Sequence, residues 1–521
     1  MPGLIRISFL LGSFVLVAAS ARQGSAQYLD KLDRGMVIPR VVSLSDSRHT
    51  YALYLPSSYS PDRKWPVLFA FDPGARGNVP VERYQEAAEQ YGYIVLGSNN
   101  SRNGPVQVEF EAMRALYTDA RRRFPIDENR LYSTGFSGAA RVACQMGLKL
   151  KGLAGAIIVG GGFPQGEKPS AEMGFALYGI AGEADLNFNE MLRLHRDFTE
   201  LHIPNHLEIL PGGHQWPSSE VLREAVEWME LQAMRSRKRP RDPTWIAAML
   251  AARLARAKSL EEKGELAAAF RRLEEISKDF RDFADLNEVE ADVTRLKALP
   301  ELARALKDAE KREKRMEERD EEQSGRVMDV IHAIFAAGGM TYSEGRVEQG
   351  ALPSSAPPGG GPGRDELPVS RGAQGGEPKD AMAVEKLVAG LSIPSLKSTI
   401  EKKPGTDEAL LAERQRTRIF ISTFESARML IEMKKYAQAV MCLEITAKAA
   451  PPENAFVDVQ LARAQALNKR KSEALKSLAS AAAKGFDKPE MIEKDEAFEP
   501  LRSTPEYAAA LEKIRARAAA R

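Results

Sequence analysis

The 521-residue chain has only two cysteines, Cys144 and Cys442. A disulfide framework and a CxxC metal or redox motif are thereby excluded, and two lone thiols read as small buried hydrophobes. Histidine is also scarce, at six residues. None stands with carboxylates at ligand spacing, so no metal and no cofactor is expected. Neither sign of charge dominates: 74 basic and 72 acidic residues leave a formal net charge of +2. That balance gives no reason to expect a nucleic-acid partner. Beyond the N-terminus no apolar run approaches the ~20 residues of a membrane helix, so no span is expected in the mature chain.

What is present is a globular balance, 43% hydrophobic and 28% charged, on a length that suits two or three domains. Arg6, an apolar run over 7–19 and small residues beyond it read as a secretory signal over 1–27, with an uncleaved anchor as the alternative. Ala19-Ser20-Ala21 and Gly24-Ser25-Ala26 both offer cleavage sites. The expectation is an exported chain, periplasmic or extracellular.

Over 37–237, short β-rich runs alternate with amphipathic helices. Strands are expected at 51–55, 65–71, 93–96, 130–133, 156–159, 176–180 and 206–210, with helices at 81–91, 106–124, 139–150 and 189–201. That alternation predicts an α/β fold, a doubly wound and mainly parallel sheet covered on both faces. Beyond 239 the strands stop, and an all-α region follows. A helical pair over 245–280 turns at Gly264, within a helical stretch 244–340 whose residues 307–322 are almost wholly charged. The Gly/Pro-rich run 353–378, within 341–380, reads as a flexible linker. Helices resume over 405–521.

Chemistry concentrates at Gly135-Phe136-Ser137-Gly138-Ala139, between an expected strand and an expected helix. A nucleophile elbow needs that context: a sharp turn lifts the Ser137 hydroxyl off the sheet, and Gly138 offers an N–H to an oxyanion. The plain alternative is a serine that caps the helix. Ala139 stands where glycine is usual. The base is expected to be His214, on a loop after the last strand. His195 and His202 read as solvent-facing and His206 as lying within the sheet layers. Asp185, after the strand at 176–180, is the favoured acid; Glu183 is its rival and helix capping its plain alternative. The order Ser137, Asp185, His214 is the α/β-hydrolase order. A second oxyanion donor belongs after the strand at 65–71, where Pro73 has no N–H and Gly74 or Ala75 can serve. Within 99–103, Asn99 and Asn100 could line the pocket, as could Trp216; an ordinary polar loop is the alternative.

Residues 40–235 resemble the secreted esterases grouped with polyhydroxybutyrate depolymerases and feruloyl or acetylxylan esterases. The resemblance rests on the elbow around Ser137, the loop 182–187, and Gly213-His214-Gln215-Trp216-Pro217. It implies hydrolysis of a small or polymeric ester through a serine acyl-enzyme. The segments opening at Gly264, Lys435 and Ser472 resemble tetratricopeptide repeats, with Ala269, Ala439 and Ala474 at the tight helix contact. They imply a protein partner. The competing readings are a scaffold with an inactive hydrolase domain and cleavage of peptides by the same three residues.

Overall fold

The computed structural model describes residues 32–104, 106–150, 152–164, 166–343, 346–349 and 377–520. The signal expected over 1–27 and the Gly/Pro-rich run as far as 376 lie outside them. The chain divides into two compact units, Met1–Arg315 and Met316–Arg521.

In the first unit eight strands form one sheet: β1 (Val37–Val42), β2 (Thr50–Tyr54), β3 (Trp65–Phe71), β4 (Ile94–Ser98), β5 (Ile126–Phe136), β6 (Leu153–Val159), β7 (Ala176–Gly182) and β8 (Asn205–Leu210). Their order is β1-β2-β4-β3-β5-β6-β7-β8. β2 runs antiparallel to both its neighbours, and β3 through β8 are parallel. Between and after them lie α1 (Asn78–Tyr91), α2 (Val106–Arg123), α3 (Gly138–Lys149), α4 (Phe188–Glu200) and α5 (Ser219–Arg235).

The two-residue period of a strand sorts β3 into two cores. Val67, Phe69 and Phe71 join Met113 of α2, Met146 of α3 and Phe198 of α4. Leu68 and Ala70 join Tyr84 of α1 and Trp228 of α5 on the other face. The doubly wound, mainly parallel sheet expected from the alternating pattern is therefore the observed one. β1 was not expected. It is an edge strand with three of its six residues exposed and a register shift between Ile38 and Val41, and Pro39 within the run argues against a strand when the sequence is read alone.

His195 departs from its expected solvent-facing place. On α4 it sits between the buried Leu194 and the exposed Arg196, and its Nδ1 is buried without a partner among the described residues. Burial, with the nearby positive charge of Lys278, pushes its pKa down to about 4. Between there and its ordinary value near 6.5, the unfolded chain binds a proton that the folded chain does not. Stability therefore rises with pH across that interval and is lost as pH falls through it. His195→Gln is expected to flatten this acid-side decline by about 1–2 kcal/mol, read as the change in melting between pH 7 and pH 4.5. An unaltered slope would remove His195 as its cause.

The helices after the sheet continue the first unit. Leu231 and Met234 of α5 pack with Ile246 of α6 (Pro243–Glu262), Phe270 of α7 (Leu266–Phe280) and Val289 of α8 (Asn287–Lys297). Gly264 turns the α6–α7 pair at φ +78°. The charged run 307–322 lies inside one 38-residue helix, α9 (Pro300–Ala337).

The second unit is largely helical. Where a linker was expected from 341, β9 (Met340–Ser343) pairs antiparallel with β10 (Arg346–Gln349). Helices resume at α10 (Glu377–Gly390) and α11 (Ile393–Lys402), earlier than expected, and continue through α12 (Asp407–Glu432), α13 (Tyr436–Ala449), α14 (Ala455–Leu467) and α15 (Lys471–Ala483). Ala269, Ala439 and Ala474 are all fully buried. Among the described residues no helix is long and apolar enough to cross a membrane.

Candidate active site

The expected site residues lie at the carboxyl ends of the parallel strands, on the loops there and, for Gly138, at the first residue of α3. β5 ends at Phe136 and α3 begins at Gly138, so the chain must reverse within a single residue. Ser137 takes φ +57° and ψ −127°, a strained conformation for a residue with a side chain. The reversal depends on close approach: a methyl on Gly135 would meet the Ala139 carbonyl oxygen at 2.1 Å. Ala139 itself, the departure from the usual glycine, is accommodated in the first turn of α3, buried in the core. Ser137 makes no side-chain capping bond to α3, which removes the helix-cap alternative.

The Ser137 hydroxyl instead meets His214 Nε2 at 2.8 Å, and His214 Nδ1 meets Asp185 Oδ2 at 2.9 Å. The His214 and Asp185 side chains are 4% and 1% exposed, so water scarcely competes for these bonds. The Phe136 ring lies 4.5 Å from the imidazole, centre to centre. Asp185 also accepts the Asn187 N–H on Oδ1 at 2.7 Å. The carboxylate thus shapes its own loop while holding the histidine. α4 has Asn187, not Asp185, at its cap, and the rival Glu183 is exposed. Chemically, the arrangement can move a proton from the Ser137 hydroxyl to an oriented imidazole.

Four further residues stand differently from expectation. Gly74 donates its N–H to Asp72 Oδ1 at 2.9 Å, and Ala75 donates to the Asp72 carbonyl at 3.0 Å. Both candidate oxyanion donors are therefore engaged within their own turn. Asn99 and Asn100 do not offer free amides to a pocket. Asn99 accepts from Gly77 N–H and donates to the Pro39 carbonyl; Asn100 accepts from Thr50 N–H and donates to the Arg48 carbonyl. These bonds tie the loop after β4 to the backbone around it. The Gly138 N–H opens α3 with no hydrogen-bond partner among the described residues, where the helix N-terminus favours negative charge.

Trp216 is buried against Phe136, at 5.6 Å between ring centres, and donates its Nε1–H to Asp72 Oδ2 at 3.1 Å. Its observed contacts serve position. The fully buried Asp72 also receives Arg76 through Nε at 2.8 Å and Nη2 at 3.0 Å, so this one carboxylate joins the β3 loop to the histidine loop. Sequence reasoning passed over it, weighing that turn only for the backbone N–H groups of Gly74 and Ala75. Asp72→Ala leaves a buried indole N–H unsatisfied and frees both loops. It is expected to cost about 2–3 kcal/mol in a denaturant melt; a cost below about 0.5 kcal/mol would deny Asp72 this linking role.

A second overlooked group lies on the side of α3. Arg141, one turn beyond Ser137, binds both carboxylate oxygens of Glu190 at 2.7 and 2.8 Å. Glu109 on α2 is pushed up to about 7 by burial, against the opposing pull of Arg141. Among the described residues no cluster of histidine, cysteine and carboxylate is placed to hold a metal ion.

Strand order, the reversed β2, the elbow after β5 and the histidine loop after β8 together define the α/β-hydrolase fold. Solved structures with a similar fold include the fluorophosphonate-binding serine hydrolase F of Staphylococcus aureus, substrate bound, at 14% identity over 37% of this chain and 97% of that one, with a TM-score of 0.31. The S-formylglutathione hydrolase of the same organism matches at 14% identity over 38% and 98%, TM-score 0.31. A ferulic acid esterase matches at 13% identity over 37% and 97%, TM-score 0.30. These likenesses are of fold alone. No family model matches the sequence, and no curated protein is found to be similar to it.

Proposed function

We propose that this chain is an exported serine hydrolase that cleaves carboxylic esters through an acyl-enzyme, with its helical regions engaging a protein partner. One observation carries the enzymatic reading: an unbroken hydrogen-bond path from the strained Ser137 through His214 to a buried Asp185, at 2.8 and 2.9 Å. Ser137 Oγ attacks the ester carbonyl as His214 Nε2 takes its proton. The tetrahedral oxyanion collapses to the acyl-enzyme, and His214 returns the proton to the departing alkoxide. Water then repeats the sequence and releases the acid. Asp185 keeps the imidazole in the tautomer that leaves Nε2 free to accept. The proposals of export and of a partner rest on the apolar segment 7–19 and on the repeated helical segments.

Purified mature protein should turn over p-nitrophenyl esters of short acids and react with a fluorophosphonate probe. Failure of both would sink the enzymatic reading. A scaffold with an inactive hydrolase domain is favoured by one feature, the engagement of both Gly74 and Ala75 N–H groups with Asp72. Inert protein that still captures a partner through its helices is the outcome that reading requires.

A further inference from the structure

An acyl-transfer site needs more than one donor where the carbonyl oxygen becomes negative. In this site the usual supply after β3 fails: Pro73 has no N–H, and those of Gly74 and Ala75 are bonded to Asp72 at 2.9 and 3.0 Å. Among the described residues the Gly138 N–H, beside Ser137, has no partner and stands open at the helix end. We propose that the side-chain amide of Asn103 is the second oxyanion donor, an inference that rests on the serine-hydrolase reading above.

The loop after β4 delivers Asn103 to that place and fixes it there. Asn103 donates its backbone N–H to the Pro73 carbonyl at 3.0 Å, and its neighbour Arg102 forms a bridge with Gly74. Behind them Ser101 is fully buried, with its N–H on Ser98 Oγ at 3.0 Å. Asn99 and Asn100 clamp the loop from the other end through their four backbone bonds. The Asn103 amide then lies directly over the α-carbon of Gly138. A methyl on that carbon would meet Oδ1 at 2.1 Å and Nδ2 at 3.1 Å, so only glycine lets the amide sit beside the open N–H.

No described residue takes the hydrogen bonds of this amide, although it is half-buried. Turning it about its last bond exchanges oxygen for nitrogen at little cost and presents an N–H donor. During attack the Ser137 Oγ–carbon bond forms, the proton passes to His214 Nε2, and the carbonyl π pair moves onto oxygen. That oxygen receives Gly138 N–H from the backbone and Nδ2–H from Asn103. On collapse the pair returns, the bond to the alkoxide breaks, and the alkoxide takes the proton from His214. A neutral amide attracts the oxyanion without lowering the basicity of His214 as a cation would.

Asn103→Ala is expected to lower kcat by roughly 10²–10³, as loss of one oxyanion donor does, with KM nearly unchanged. Binding of a trifluoromethyl ketone, whose tetrahedral adduct carries the oxyanion, should weaken by a similar factor. Asn103→Asp is nearly isosteric and keeps the loop, yet should be at least as slow because its carboxylate repels the oxyanion. A kcat within tenfold of the unaltered protein in a folded variant, or a loss confined to KM, would overturn the proposal. Failure of the underlying reading looks different: the unaltered protein would itself neither turn over esters nor react with a fluorophosphonate.

Discussion

Replacing Ser137 with alanine is expected to lower ester turnover by roughly 10⁴–10⁶ and to abolish labelling by a fluorophosphonate, while the protein stays folded. The nucleophile is lost outright, and neither Gly138 nor the helix end can replace it. Stability should hold because the Ser137 side chain has no structural partner: its hydroxyl meets only His214 and caps nothing. Alanine keeps the same left-handed φ of +57°, so the strain of the turn is retained. His214→Ala should cost about as much as Ser137→Ala, and the double variant little more, because the two residues act as one unit. Additive losses, or labelling that persists without the Ser137 hydroxyl, would place the reacting group elsewhere.

The residues of this path are unusually open to sequence reading because each follows a strand whose pattern is strong. β3, β6 and β7 are buried on both faces, so they stand out as continuous apolar runs, and the glycine turns after β5 and β8 mark where function can sit. What the sequence hides depends on contacts across long separations. Trp216 and Asp72 are 144 positions apart, and nothing local distinguishes a buried carboxylate knot from a turn aspartate. The asparagines at 99, 100 and 103 occupy one short polar loop and look equivalent. Only the path of that loop decides that two bind backbone while the third reaches Gly138. His195 illustrates a subtler limit. It flanks the apolar face made by Met191, Leu194 and Phe198, and helical periodicity is too coarse to tell the edge of a buried stripe from its exposed side. Gly74 and Ala75 lie on the loop after β3, but which way their N–H groups point depends on the Asp72 side chain and carbonyl that hold them.

Asp185→Asn is the sharper test of how the histidine is held. The two carboxylate oxygens both accept, Oδ2 from His214 Nδ1 at 2.9 Å and Oδ1 from Asn187 N–H at 2.7 Å. An asparagine has one acceptor to give, so it cannot satisfy both. With its NH₂ toward His214, it forces the proton onto Nε2, the nitrogen that must accept from Ser137. With its NH₂ toward the Asn187 N–H, two donors face each other and the loop that sets the site is pushed open. Either arrangement also leaves the imidazolium without a neighbouring negative charge as it forms. A loss near 10⁴ in kcat at neutral pH is expected, with thermal stability changed far less than by Asp72→Ala. Glu183→Gln, on an exposed side chain two positions away, should leave kcat essentially unchanged. If Asp185→Asn retained more than a tenth of the activity, or if Glu183→Gln lost as much, the carboxylate that steadies His214 would have to be sought outside Asp185.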